Sequence, residues 1–129
     1  MDVGSINSRG GGVAMTPNKH HAIRYWSEMC QIWFASKGEG RYGEQLWLRQ
    51  KAGEIQWLQF HEKFTLMEKP RCTIEVDFSF YDVEKGRGDV VKKGMVYQDF
   101  KGQGETRDYR TKRLWLYQLK GIEVEIVKG

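Results

Sequence analysis

Residues 73–101 read TIEVDFSFYDVEKGRGDVVKKGMVYQDFK, and the fold turns on how this stretch is paired. Across 73–83 the side chains alternate, with Ile74, Val76, Phe78 and Phe80 on one face and Glu75, Asp77 and Ser79 on the other. EKGRGD reads as a hairpin turn, and 90–101 returns as the partner strand. That strand ends with Asp99 and Lys101 on one face, opposite Gln98 and Phe100, and glycines follow at 102 and 104. Pairing through the turn sets Asp77 opposite residues 95–97, so Asp99 is expected as its diagonal neighbour. Two carboxylates this close repel unless a cation lies between them. Magnesium, a hard ion that takes oxygen ligands and keeps several waters, suits such a pair. The plain alternatives stay open here: Asp77 on the solvent face of a hairpin, and Asp99–Lys101 as a surface ion pair worth little.

Upstream of the hairpin, IQWLQFHEKFTLM (55–67) is a further strand, closed by a turn at Lys69-Pro70-Arg71. Before it, Ser36-Lys37-Gly38-Glu39 opens a helix that runs to about Ala52 and stops at Gly53. Ser36 and Glu39 form a capping box, which by itself accounts for the glutamate. Helical spacing nevertheless puts Glu39 on a stripe with Tyr42, Gly43, Leu46 and Gln50, so its carboxylate is expected to point inward. Glycines at 38, 40 and 43 weaken this helix, and either close packing or close approach of a ligand would explain them. AIRYW and CQIWF, two short strands around a turn at Ser27–Met29, precede the helix as a hairpin. Residues 1–17, rich in glycine and serine, read as a flexible arm, and 18–129 as a single domain. His20 and His21 read as a solvated pair.

Downstream, 106–119 reads as a second helix and IEVEIV (122–127) as a last strand. Lys112, Trp115, Leu116 and Leu119 share one helical face, where the lysine either snorkels to the edge or points at an anion. The order is a β-hairpin followed by αβββαβ: an α/β fold with a mixed central sheet flanked by helices.

The net charge of +4 is modest, but residues 101–120 carry six basic side chains against two acidic ones. Lys101, Arg107, Arg110, Lys112, Arg113 and Lys120 thus hold an excess equal to that of the whole chain. Such a patch attracts a polyanion, although a solvated basic face also serves solubility. Lys19 and Arg24 add basic positions near the N-terminal hairpin. No apolar run approaches the ~20 residues needed to span a bilayer and no signal-peptide pattern opens the chain, so a soluble cytoplasmic protein without membrane partners is expected. Cys30 and Cys72 lack zinc spacing and read as reduced thiols.

Taken together, SKGEGRY, AGEIQWLQFHEKFTL, EVDFSFYD, QDFKG and TRDYRTKRL resemble the PD-(D/E)XK nuclease superfamily, in a phage-encoded branch related to Holliday junction resolvases. The resemblance covers about 90 residues from Ser36 onward. It departs from the pattern at Val76, where the family's name expects proline, and at Gln98, where relatives often place a second acid. The resemblance implies a restriction-endonuclease-like αβββαβ core. It implies magnesium, with manganese as a substitute, held by Glu39, Asp77, Asp99 and the Phe100 carbonyl. Lys101 is then expected to orient the attacking water, and Lys112 to contact the scissile phosphate. Ser36, Lys19, Arg24, Arg107, Arg110 and Arg113 complete the expected DNA-binding set. The implied activity is paired cleavage of four-way DNA junctions by a homodimer in a phage-infected host cell, since a two-fold junction calls for two opposed sites. The alternatives are a less structure-selective recombination or packaging nuclease, and a DNA-binding accessory protein without catalysis.

Overall fold

A computed structural model describes residues 23–87, 94–102 and 105–129. The expected arm over 1–17, together with Lys19, His20 and His21, lies outside them. The described elements are β1 (Tyr25–Ser27), β2 (Ile32–Phe34), α1 (Lys37–Lys51), β3 (Ile55–Met67), β4 (Cys72–Asp82), β5 (Met95–Lys101), α2 (Arg107–Lys120) and β6 (Val124–Lys128). β1 and β2 form a separate antiparallel hairpin. The main sheet runs β3-β4-β5-β6, antiparallel at its first two joins and parallel at the last. The parallel join needs a crossover, which α2 supplies.

The sheet is covered by one helix on each side. Leu46 of α1 packs with Phe34, Ile55, Phe78, Phe80 and Val96. Leu116 of α2 packs with Leu66, Ile74, Val76 and Val124, with Tyr97 against them. Val96 and Tyr97 are successive residues of β5, so the two clusters lie on opposite faces. The result is an α/β architecture with a four-strand mixed sheet between two helices.

β4 departs from the expected alternation. Ile74 and Val76 join the α2 side, whereas Phe78 and Phe80 join the α1 side, so the faces exchange at Asp77. The break is shared by the neighbouring strand. The β3–β4 ladder pairs Phe60 with Phe78 and Glu62 with Val76 but skips His61 and Asp77. His61 there has φ 58°, outside the extended region, which turns the chain and breaks the two-residue period. Ser79 consequently faces the interior on the α2 side and donates to Glu62 Oε1 at 2.8 Å.

The hairpin is docked to the domain rather than projecting from it. Tyr25 Oη and Ser27 Oγ both donate to Glu44 Oε2 on α1, at 3.0 and 2.7 Å. A methyl at Gly40 would overlap the Tyr25 ring, and one at Gly43 would lie 2.8 Å from Phe34. Close packing therefore explains these two glycines, whose cost in helix propensity is offset by the contact they permit. Phe34 is buried, while Trp26 and Trp33 remain partly exposed with ring centroids 5.4 Å apart.

Candidate metal centre

α1 is started by Ser36, whose Oγ accepts from the Glu39 amide at 3.1 Å. Ser36 therefore works as a helix cap. The cap fixes the first turn and holds Glu39 inward, at 5% exposure, as its helical spacing predicts. Glu39 Oε2 is buried without a hydrogen-bond partner.

β4 and β5 meet this turn at the point where their ladder ends. The last paired residues are Phe78 and Gln98, and the same register continued by one residue sets Asp77 directly opposite Asp99. The diagonal placement expected from the sequence is thereby corrected: the register sets position 77 against 99 rather than against 95–97. Beyond the ladder, carboxylates replace backbone carbonyls. Asp99 Oδ1 accepts from the Asp77 amide at 2.7 Å, and Asp77 Oδ2 accepts from the Phe100 amide at 2.9 Å. Asp99 is 1% exposed, and its Oδ2 is also unpartnered. The Phe100 ring packs against Tyr42 on the α1 side.

His61, which the sequence reading did not single out, completes the group. Single donor atoms of Glu39, His61 and Asp77 all lie within 4.8 Å of one another and could hold a metal ion. His61 Nε2 stands 3.9 Å from Glu39 Oε2, and Nδ1 is 3.1 Å from Glu75 Oε2. The signal was available: a hairpin centred on Lys69-Pro70 brings position 61 close to opposite Asp77. The two-residue period hid it, because His61 sits where that period fails.

The electrostatics follow from crowding acids in a dry place. Burial, then the Asp77 charge, pushes the Glu39 carboxyl up to about 8. Burial raises Asp99 as well, with the Asp77 charge second. Asp77 is raised by burial, while the Phe100 amide and the Lys101 charge act in the opposite direction. Burial of acids with unpartnered oxygens is costly unless a cation neutralises them. The donor chemistry and the orphaned oxygens of Glu39 and Asp99 thus fit a divalent ion. Asp99 stands outside the three-residue group and touches it through Asp77.

The remaining expected site residues divide into those near the acids and those already engaged. Lys101 Nζ lies 4.1 Å from the Tyr109 ring centroid, and its charge reaches both Asp77 and Asp99. Arg113 donates to both oxygens of Glu105, at 3.1 and 2.8 Å, and Arg110 Nε donates to the same carboxylate at 3.1 Å. Lys112, half-buried, lies 3.8 Å from Asp108; on the same face Leu116 is buried and Trp115 packs beside it, while Leu119 is 52% exposed. Arg107 is exposed, and Arg24 lies over the Trp33 ring at 5.0 Å. Gln98 is explained by structure: Oε1 accepts from Tyr42 on α1, and Nε2 donates to Glu125 on β6 at 3.0 Å. No helix among the described residues is long and apolar enough to cross a membrane.

No family model, curated protein or solved structure matches this chain.

Proposed function

We propose that this chain is a metal-dependent endodeoxyribonuclease of the PD-(D/E)XK type that resolves four-way DNA junctions as a homodimer. One observation carries the reading: Glu39 Oε2 and Asp99 Oδ2, both buried, have no hydrogen-bond partner and flank Asp77. Acids placed this way stay ionised at neutral pH only beside a cation. The αβββαβ order after the hairpin supports the nuclease core, and the basic side chains on α2 support a polyanionic substrate.

Glu39 and Asp77 would hold the ion, magnesium in the first instance with manganese as a substitute, and Asp99 would join them through its free oxygen. A bound ion supplies Lewis acidity and lowers the pKa of its water. Lys101, whose charge already reaches the acids, orients the attacking water and offsets charge developing on the phosphate oxygens. Arg107 is exposed to meet the DNA backbone, and Arg110, Lys112 and Arg113 exchange their acidic partners for phosphates on binding.

The test offers labelled four-way junctions and matched linear duplex to the purified full chain with magnesium. Symmetric junction cleavage, lost by at least 100-fold in Asp77→Asn and Asp99→Asn, is the expected result. Equal cutting of both DNAs overturns the junction preference. Binding without cutting identifies a DNA-binding accessory protein, and a monomer bound to an intact junction contradicts paired cleavage.

A further inference from the structure

We propose that His61 is itself a metal ligand, held in place by Glu75, and that it shifts the site's preference from magnesium toward first-row transition-metal divalent ions. The inference rests on the metal-dependent reading above and names a donor outside the acid set that reading uses.

Three observations carry it. The His61 ring presents Nε2 to the unpartnered Glu39 Oε2 at 3.9 Å, with the Asp77 carboxylate inside the same 4.8 Å group. Donors each about 2.1 Å from one ion are at most about 4.2 Å apart, so Nε2 and Oε2 already stand at ligand spacing. Every pair in the group lies within 4.8 Å. Second, the opposite ring nitrogen is taken: Nδ1 lies 3.1 Å from Glu75 Oε2. A proton held there by a carboxylate fixes the tautomer that leaves Nε2 free as a donor, an arrangement common around metal-ligating histidines. Third, His61 is placed by an unusual backbone conformation (φ 58°) at the residue where the β3–β4 ladder is skipped. Its ring packs against Phe34, 5.9 Å between centroids, which limits its swing. An all-oxygen set suits magnesium, whereas an imidazole in the set favours transition metals.

Manganese is the probe because a directly bound nitrogen couples to its electron spin. The metal-free full chain is titrated with manganese and, separately, with magnesium by calorimetry, and the manganese complex is examined by pulsed electron paramagnetic resonance. The wild type is expected to bind manganese at least about 10-fold more tightly than magnesium and to show nitrogen coupling. His61→Ala is expected to abolish the coupling and to weaken manganese binding about 10- to 100-fold, with magnesium binding changed far less. Glu75→Gln, at an exposed position, is expected to weaken manganese binding about 10-fold, and decides the matter if His61→Ala fails to fold. Manganese binding without nitrogen coupling, or coupling that persists in His61→Ala, overturns the proposal. Unchanged affinity in Glu75→Gln overturns the positioning role. Coupling without DNA cleavage leaves this inference standing and removes the nuclease reading; cleavage without coupling does the reverse.

Discussion

At the scale of single residues, Glu39 concentrates the tension of this molecule, because the helix cap that makes it structural also buries it among other acids. Its folded-state pKa of about 8 lies above the ordinary 4.5, so the folded chain binds a proton that the unfolded chain has released between those values. Stability of the metal-free protein therefore falls as pH rises from about 4.5 to 8. In EDTA, Glu39→Gln is expected to raise the melting temperature at pH 8 by about 2–6 °C and to flatten that slope, measured by calorimetry across the range. No gain at pH 8 would mean that the buried charge is relieved some other way. Glu39, Asp99 and Lys101 could be placed from the sequence because each lies on a regular period or beside a cap, whereas Asp77 was read from an alternation that fails at that residue. His61 was not, since it is useful where the period breaks. Gln98 was legible as an anomaly only, as its partners Tyr42 and Glu125 are distant in sequence.

At the scale of elements, α2 shows how basic side chains are ordered by nearby acids. Glu105, just ahead of the helix cap Thr106, accepts from Arg113 and Arg110 and is drawn down to about 2, chiefly by the Arg113 hydrogen bonds. Its folded pKa lies below the ordinary 4.5, so its contribution is present above that value and is lost as pH falls toward 2. Glu105→Gln is expected to destabilise the chain at pH 7 and to remove part of the stability loss between pH 4.5 and 2, read by urea unfolding at each pH. A variant whose acid profile matches the wild type would show that the pair contributes nothing measurable. The composition revealed the excess of positive charge in 101–120, but not that Glu105 and Asp108 would each take a basic partner. Short-range charge pairing depends on side-chain direction, which helix periodicity alone does not give. The strand bounds, by contrast, were set by local signals: β3 occupies 55–67 as read, between the Gly53 stop and the Lys69–Pro70 turn.

At the scale of the whole molecule, the candidate centre draws on α1, β3 and β4, with β5 beside it, so it exists only when both the helix and the sheet are in place. An ion bound there stabilises the fold by mass action: at a free concentration 100 times its dissociation constant, about 2.7 kcal/mol is expected. Thermal unfolding with increasing manganese tests this, and a melting temperature indifferent to the ion would place binding outside these elements. The element order was readable because every junction carries a stop or turn signal, whereas the exchange of faces at Asp77 coincides with a break at His61 in the neighbouring strand. One consequence follows from the way β4 and β5 part. The amide protons of Asp77 and Phe100 are held by the Asp99 and Asp77 carboxylates, the second of which belongs to the candidate metal group. Any change in how those carboxylates share their charge must alter both amides, which makes them a pair of built-in nuclear magnetic resonance reporters, needing no added label at the site. Their chemical shifts and hydrogen-exchange rates record the state of the centre from within the backbone itself.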